Sequence, residues 1–203
     1  MIDLSEPMIA AARSRAERER VPVTFICADA QTCELDPASF DIIVSRFGVM
    51  FFDAPGSAFA NLRRAARHGA ALRFIAWRAA AENPFMTMAE SAAAPLLPGI
   101  APRVPDAPGQ FALADRGRIL SVLEQGGWNH VAVQPIDVEC ALPASELDRY
   151  VTRLGPLGRV IQDTDDTTRA RIIERVRAAF DPYISGAEVR FNAACWVADA
   201  RAT

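Results

Sequence analysis

The apolar positions of this chain fall into two rhythms. Short, strand-like stretches rich in apolar residues occur at residues 23–28, 40–47, 72–77, 130–139 and 188–200, and longer stretches between them repeat at helical spacing. The run Phe40-Asp41-Ile42-Ile43-Val44-Ser45-Arg46-Phe47 sets the frame. Three consecutive β-branched aliphatics suit a strand covered on both faces, as in a parallel sheet flanked by helices. Before it, Ile2-Asp3-Leu4 reads as a strand end. Ser5, Glu6 and Pro7 then open a helix over residues 6–20, with Ser5 as N-cap. After it, Asp53-Ala54-Pro55 opens a helix with Asp53 as N-cap. Phe59, Leu62, Ala65 and Ala66 form its inner stripe, and Arg63, Arg64 and Arg67 its wet face. His68-Gly69 closes that helix, Gly69 suiting a left-handed cap. Residues 1–78 thus read strand end, helix, strand, strand, helix, strand. This alternation predicts a doubly wound α/β sheet.

Beyond residue 78 the texture changes. Residues 78–111 are rich in proline and small apolar residues, which predicts a short helix and then an irregular loop of the kind that covers sites. Helices are expected over residues 114–125, 144–154 and 166–180, with Gly126-Gly127 ending the first. We expect a single domain over residues 1–203: a half at 1–78 in which strand ends converge, an insertion at 79–113, and helices and strands at 114–203.

Composition narrows the function. A chain of 203 residues with 51% hydrophobic residues supports one good core. A net charge of −3 argues against a general nucleic-acid binder. All 22 basic residues are Arg, which with abundant Ala reads as codon bias. The cysteines Cys27, Cys33, Cys140 and Cys195 form no C-x-x-C pair and have no His at ligand spacing, so no metal site is expected. No apolar run approaches the ~20 residues of a membrane span. A cytoplasmic protein with reduced thiols is the expectation.

Several strings, in order and spacing, resemble class I S-adenosylmethionine-dependent methyltransferases. They are Ile2-Asp3-Leu4-Ser5-Glu6-Pro7-Met8, Ala28-Asp29-Ala30-Gln31, residues 40–48, Asn61-Leu62-Arg63-Arg64-Ala65 and His68-Gly69. The chain is most similar to the small-molecule subgroup of ubiquinone- and menaquinone-biosynthesis C-methyltransferases. The resemblance implies a Rossmann-like sheet, mostly parallel with an antiparallel final strand. It also implies S-adenosylmethionine as cofactor and a small-molecule acceptor as partner. Asp3, with Leu4 beside it, would accept from the ribose hydroxyls. Asp29 would accept from the adenine amino group, with Ala30 and Gln31 adjoining. Ser45 and Phe47 would border the methionine moiety, and Arg46 the acceptor. Met86 and Met88 would line an apolar acceptor pocket.

Each residue also has a plain structural reading. Asp3 and Asp29 are ordinary turn residues at strand ends. Arg46 suits a surface ion pair, Met86 and Met88 suit helix packing, and Phe51 and Phe52 suit the core. His68 and His130 read as structural. No general base stands out, and methyl transfer needs one only when the acceptor must lose a proton.

One expected feature is absent from these residues. The family opens with a strand ending in a turn of the type Asp-x-Gly-x-Gly-x-Gly, whose glycines let backbone approach the cofactor. Here Gly48, Gly56 and Gly69 are isolated. The expectation is therefore a methyltransferase sheet lacking its first strand and glycine-rich loop, as an N-terminally shortened chain would. It would bind cofactor weakly or not at all, and Asp41 to Phe47 would become an edge. The alternative is a non-catalytic remnant acting as a partner-bound or self-associating module, of unspecified oligomeric state.

Overall fold

The computed structural model describes residues 1–97, 104, 107–153 and 155–203. They divide into two compact units: Met1–Ile75 with Arg116–Gln134 and Val197–Thr203, and Ala76–Asp115 with Pro135–Trp196.

The first unit opens with β1 (Ile2–Asp3), α1 (Glu6–Glu19) and β2 (Ile26–Cys27). β1 and β2 pair in parallel, Ile2 with Ile26 and Asp3 with Cys27. Ser5 takes the N-cap position in extended backbone, yet its side chain makes no capping bond. Arg20 ends α1 in the left-handed region at φ 54°. Val21 N–H then reaches Ala16 O at 2.9 Å and Arg20 N–H reaches Glu17 O at 3.1 Å, a Schellman closure built without glycine. Of the α1 side chains only Ile9 is buried.

A second sheet holds β3 (Phe40–Arg46), β4 (Ala66–Trp77), β7 (Glu188–Arg201) and β5 (Asn129–Pro143), in the order β3-β4-β7-β5. β3 and β4 are parallel, in register from Ile42 against Ala71 to Arg46 against Ile75. β7 is antiparallel to β4: Gly69 N–H donates to Ala202 O and Ala202 N–H to Ala70 O. The mixed sheet with its antiparallel final strand is the Rossmann-like architecture expected.

Two expectations are corrected. The run 40–47 is a strand and, as expected without a first strand, ends the path of its sheet, but it is not covered on both faces: Ile42 and Val44 are 65% and 71% exposed. His68-Gly69 does not close a helix. α2 (Pro55–Ala65) passes directly into β4, and Ala54 rather than Asp53 takes its N-cap position. Gly69 does adopt positive φ, at +81°, but as the extra residue of a bulge facing Ala202.

The core of this unit lies where α2 packs on β4 and on α4 (Arg116–Gln125). Phe59 stacks on Phe74 at 5.5 Å between ring centroids, and Phe52 meets Phe59 edge-on at 6.0 Å. Trp128 is buried, and its indole N–H donates to Phe59 O at 2.9 Å.

The second unit carries α3 (Met88–Ala93), α5 (Leu147–Arg153), α6 (Gly155–Val160), α7 (Asp166–Phe180) and β6 (Ile184–Ser185), with β6 antiparallel to β7. Fully buried Asn83 clasps the backbone of Ala194. Its Nδ2 donates to Ala194 O and its Oδ1 accepts Ala194 N–H, both at 2.9 Å. Phe85 stacks on Phe191 at 4.0 Å, with Trp77 and Tyr150 against the same pair. The proline-rich end of the expected loop, residues 98–103 and 105–106, lies outside the described residues, as does Leu154.

Candidate functional site

Parallel pairing of β1 with β2 brings Asp3 and Asp29 to adjacent strand ends. The N–H of Ala28, next to Asp29, donates to Asp3 O at 3.0 Å. Carboxyl ends of parallel strands are where ligands sit in α/β sheets. Both acids have the same local structure. Asp3 Oδ1 accepts Ser5 N–H at 2.8 Å, and Asp29 Oδ1 accepts Gln31 N–H at 2.9 Å. These are Asx turns, in which each carboxylate accepts from the N–H two residues on. An Asx turn uses one oxygen of the carboxylate. The other oxygen of Asp29 takes Gln31 Nε2 at 3.1 Å.

Gln31 also ties this loop to the next helix, its Oε1 accepting Ala54 N–H at 2.9 Å. Asn61 secures the loop from α2, its Nδ2 donating to Ala30 O and Cys33 O, each at 3.0 Å. Sequence reasoning used Asn61 only as part of a string. Its partners lie some thirty residues away along the chain, beyond any local signal. Leu4 is 72% exposed, and its carbonyl accepts the Cys27 thiol at 3.7 Å. The Cys27 thiol is pushed up from its ordinary range, first by its hydrogen bond with Glu6.

The end of β3 makes a second cluster. Phe47 holds φ at +60°, an uncommon conformation for an aromatic residue, while its N–H donates to Ile75 O at 3.0 Å. A Cβ on Gly48 would lie 3.1 Å from Ser45 Oγ, so the turn after Phe47 is tight. Backbone strain of this kind gathers where a chain must be aimed. Arg46 is exposed on the strand. Met86 and Met88 are half-buried and belong to the second unit.

Chemically, the first unit offers two carboxylate acceptors on a loop held by Asn61 and Gln31, and a tight aromatic turn. Among the described residues no cluster of His, Cys, Asp and Glu is arranged for a metal. An open groove of about 660 Å³ lies elsewhere, along α1 and the segment after it, lined by Arg13, Glu17, Arg20 and Phe25, and includes none of these residues.

Residues 1–74 match the family model described as a methyltransferase domain. No curated protein matches the chain. Among solved structures, a Bacillus halodurans protein named a methyltransferase superposes with a TM-score of 0.58 at 15% identity, covering 99% of this chain and 81% of its own. YcgJ of Bacillus subtilis gives 0.58 at 15% identity, with 98% and 80% covered. Phosphoethanolamine N-methyltransferase 2 of Haemonchus contortus, solved with S-adenosyl-L-methionine, gives 0.53 at 16% identity, with 98% and 42% covered. These likenesses show the fold.

Proposed function

We propose, from the premise that the matched domain and the fold support a class I S-adenosylmethionine-dependent methyltransferase enzyme, that the chain is built for methyl transfer to a small, apolar acceptor. The ubiquinone- and menaquinone-type C-methyltransferases remain the subgroup it most resembles. The observation that carries the reading is the placement of Asp3 and Asp29 at the ends of two paired parallel strands.

The residues fit the cofactor in part. Asp3 and Asp29 are acceptors suited to hydroxyl and amino donors. When bound, S-adenosylmethionine supplies a methyl group on a positively charged sulfur, open to in-line displacement by an acceptor. Asp3, flanked by Leu4, receives the ribose hydroxyls, and Asp29 the adenine amino group, with the Ala30 N–H and Gln31 adjoining. For Asp29 this requires Gln31 Nε2 to yield its bond. Ser45 and Phe47 border the methionine portion. On the first unit, Arg46 would border the acceptor. Catalysis then rests on alignment rather than on a base. The glycine-rich turn that lets backbone approach such a cofactor does not occur among the 203 residues. Their affinity is accordingly weak.

Titration calorimetry with S-adenosylhomocysteine tests both statements. Binding well above the low-micromolar range is expected, with further loss in Asp3→Ala and Asp29→Ala. Low-micromolar binding overturns the weak affinity, and binding that ignores both substitutions overturns the site. A second reading, a self-associating module without catalysis, is favoured by one observation: β3 is an edge with exposed aliphatic side chains.

A further inference from the structure

Asp3 and Asp29 close the same kind of turn, yet their second oxygens differ. Among the described residues Asp3 Oδ2 has no hydrogen-bond partner. Asp29 Oδ2 takes Gln31 Nε2 at 3.1 Å, and the same nitrogen lies 3.4 Å from Asp29 Oδ1. The far end of that carboxamide fixes its orientation. Gln31 Oε1 accepts Ala54 N–H at 2.9 Å, and only the oxygen of an amide side chain can accept, so Nε2 must face Asp29.

The loop does not depend on these two bonds. Asp29 O accepts the N–H groups of Thr32 and Cys33 at 3.2 and 2.8 Å, and Asp29 Oδ1 accepts Gln31 N–H at 2.9 Å. Asn61 Nδ2 donates to Ala30 O and Cys33 O at 3.0 Å each. Residues 29–33 are thus tied without the Gln31 side chain, which instead spans two groups with other uses. Ala54 holds the N-cap position of α2, and its N–H is one of the four at a helix start with no partner inside the helix. In a capping box the third helical residue answers that N–H. Here Gln31 answers it from 23 residues earlier. At the other end, the carboxamide NH2 is a neutral, planar nitrogen donor, of the same chemistry as the amino group of adenine.

We propose that Gln31 is an internal competitor for the adenine amino group: it occupies Asp29, sets how much affinity that group contributes, and links its capture to the start of α2. This rests on the reading of Asp29 as the adenine acceptor. The exchange conserves bonds on the carboxylate. The Gln31 N–H···O bond breaks, a ligand N–H···O bond forms, and the freed carboxamide turns to water. The amino group therefore adds little net affinity while Gln31 is present, and its full share without it. A side chain that merely braced the loop would act in the opposite sense, since its loss would weaken binding.

The test compares two ligands on the full chain by nuclear magnetic resonance titration: S-adenosylhomocysteine, and its analogue with hydrogen in place of the adenine amino group. Wild type should bind the two within about threefold of each other. Gln31→Met keeps the side-chain length and removes both bonds. It should bind S-adenosylhomocysteine about tenfold more tightly and the analogue no more tightly. Asn61→Ala, which loosens the loop without touching Asp29, should weaken both ligands alike. In wild type, S-adenosylhomocysteine should shift the Gln31 side-chain amide and the Ala54 N–H together, and the analogue should shift neither. That readout needs no variant to fold. If Gln31→Met binds S-adenosylhomocysteine equally or more weakly while Asp29→Ala still weakens it, the competitor is overturned and the site reading stands. A Gln31 amide that stays unmoved while other resonances shift has the same meaning. Asp29→Ala without effect overturns both, as does absence of binding by wild type and Gln31→Met at millimolar ligand.

Discussion

Residues 1–48 and residues 49–75 of the first unit are similarly rich in large apolar side chains, and their fates differ. The earlier stretch buries one side chain, Ile9, and leaves Leu4, Met8, Ile26, Ile42 and Val44 exposed. The later one buries Val49, Met50, Phe59, Leu62, Leu72 and Phe74. The difference is a second layer. α2 covers β4 and is backed by α4, and Trp128 closes over Phe59. Among the described residues Ile42 and Val44 of β3 stay exposed. Burial of apolar area stabilises only where a facing element removes the water. The two stretches should therefore respond very differently to truncation of one side chain.

Phe59→Ala is expected to have the largest effect. It removes the ring that touches Phe52, Phe74 and the neighbourhood of Trp128. Loss of about 3–5 kcal/mol is expected from a buried aromatic, read by chemical denaturation. A change below about 1 kcal/mol would mean that the later stretch is no better packed than the earlier one.

Ile9→Ala should cost about 2 kcal/mol, within the range for a buried aliphatic. Its signature is local. Hydrogen exchange should quicken from β1 to β2 and leave α2 and β4 protected, as expected of a separately opening segment. Uniform loss of protection across both stretches would make them one cooperative block and break the comparison.

The contrast also explains what was legible in the sequence. Local signals sufficed where structure is local. The helix expected at 166–180 is α7, Asp166–Phe180, and the strand expected at 188–200 is β7, Glu188–Arg201. Gly69 was legible as a positive-φ residue, but its role in a strand rather than a helix end depends on Ala202, near the far end of the chain. The three aliphatics of β3 looked like a doubly covered strand, because a sequence run shows what can be buried and not what lies beside it. In the candidate site, Asp3 and Asp29 could be placed at strand ends from their context. The ties made by Gln31 and Asn61 could not, since both bond to backbone far along the chain.

Helix caps give a smaller contrast. Asp165 accepts Thr168 N–H at 2.9 Å at the start of α7, whereas Ser5, at the same position of α1, makes no side-chain cap bond. The Thr168 side chain, then its backbone N–H, hold the Asp165 carboxyl below its ordinary range. A pKa depressed by folding contributes stability above the unfolded carboxylate value and loses it as pH falls through the folded one. Asp165→Ala should thus lower the melting temperature at neutral pH, and the deficit should close in acid. Ser5→Ala should shift it little at either pH. A pH-independent deficit for Asp165→Ala would show that the carboxylate does not cap as a charge.

The smallest expected effect is the most pointed test of the difference between covered and open strands. Val44 of β3 and Leu72 of β4 stand on neighbouring strands, one 71% exposed and the other 1%. Val44→Thr keeps the β-branched shape and strand preference, so it changes little besides the polarity of one group. In dilute monomer it should move stability by less than about 0.5 kcal/mol, as surface substitutions do. Leu72→Thr should cost several-fold more, because it buries a hydroxyl and loses packing. If a second copy covers β3, the Val44→Thr deficit must grow with protein concentration, since mass action then ties stability to the paired state. A deficit that is large in dilute solution would mean that Val44 is already covered within one chain. A deficit that stays small at every concentration would leave β3 an open edge.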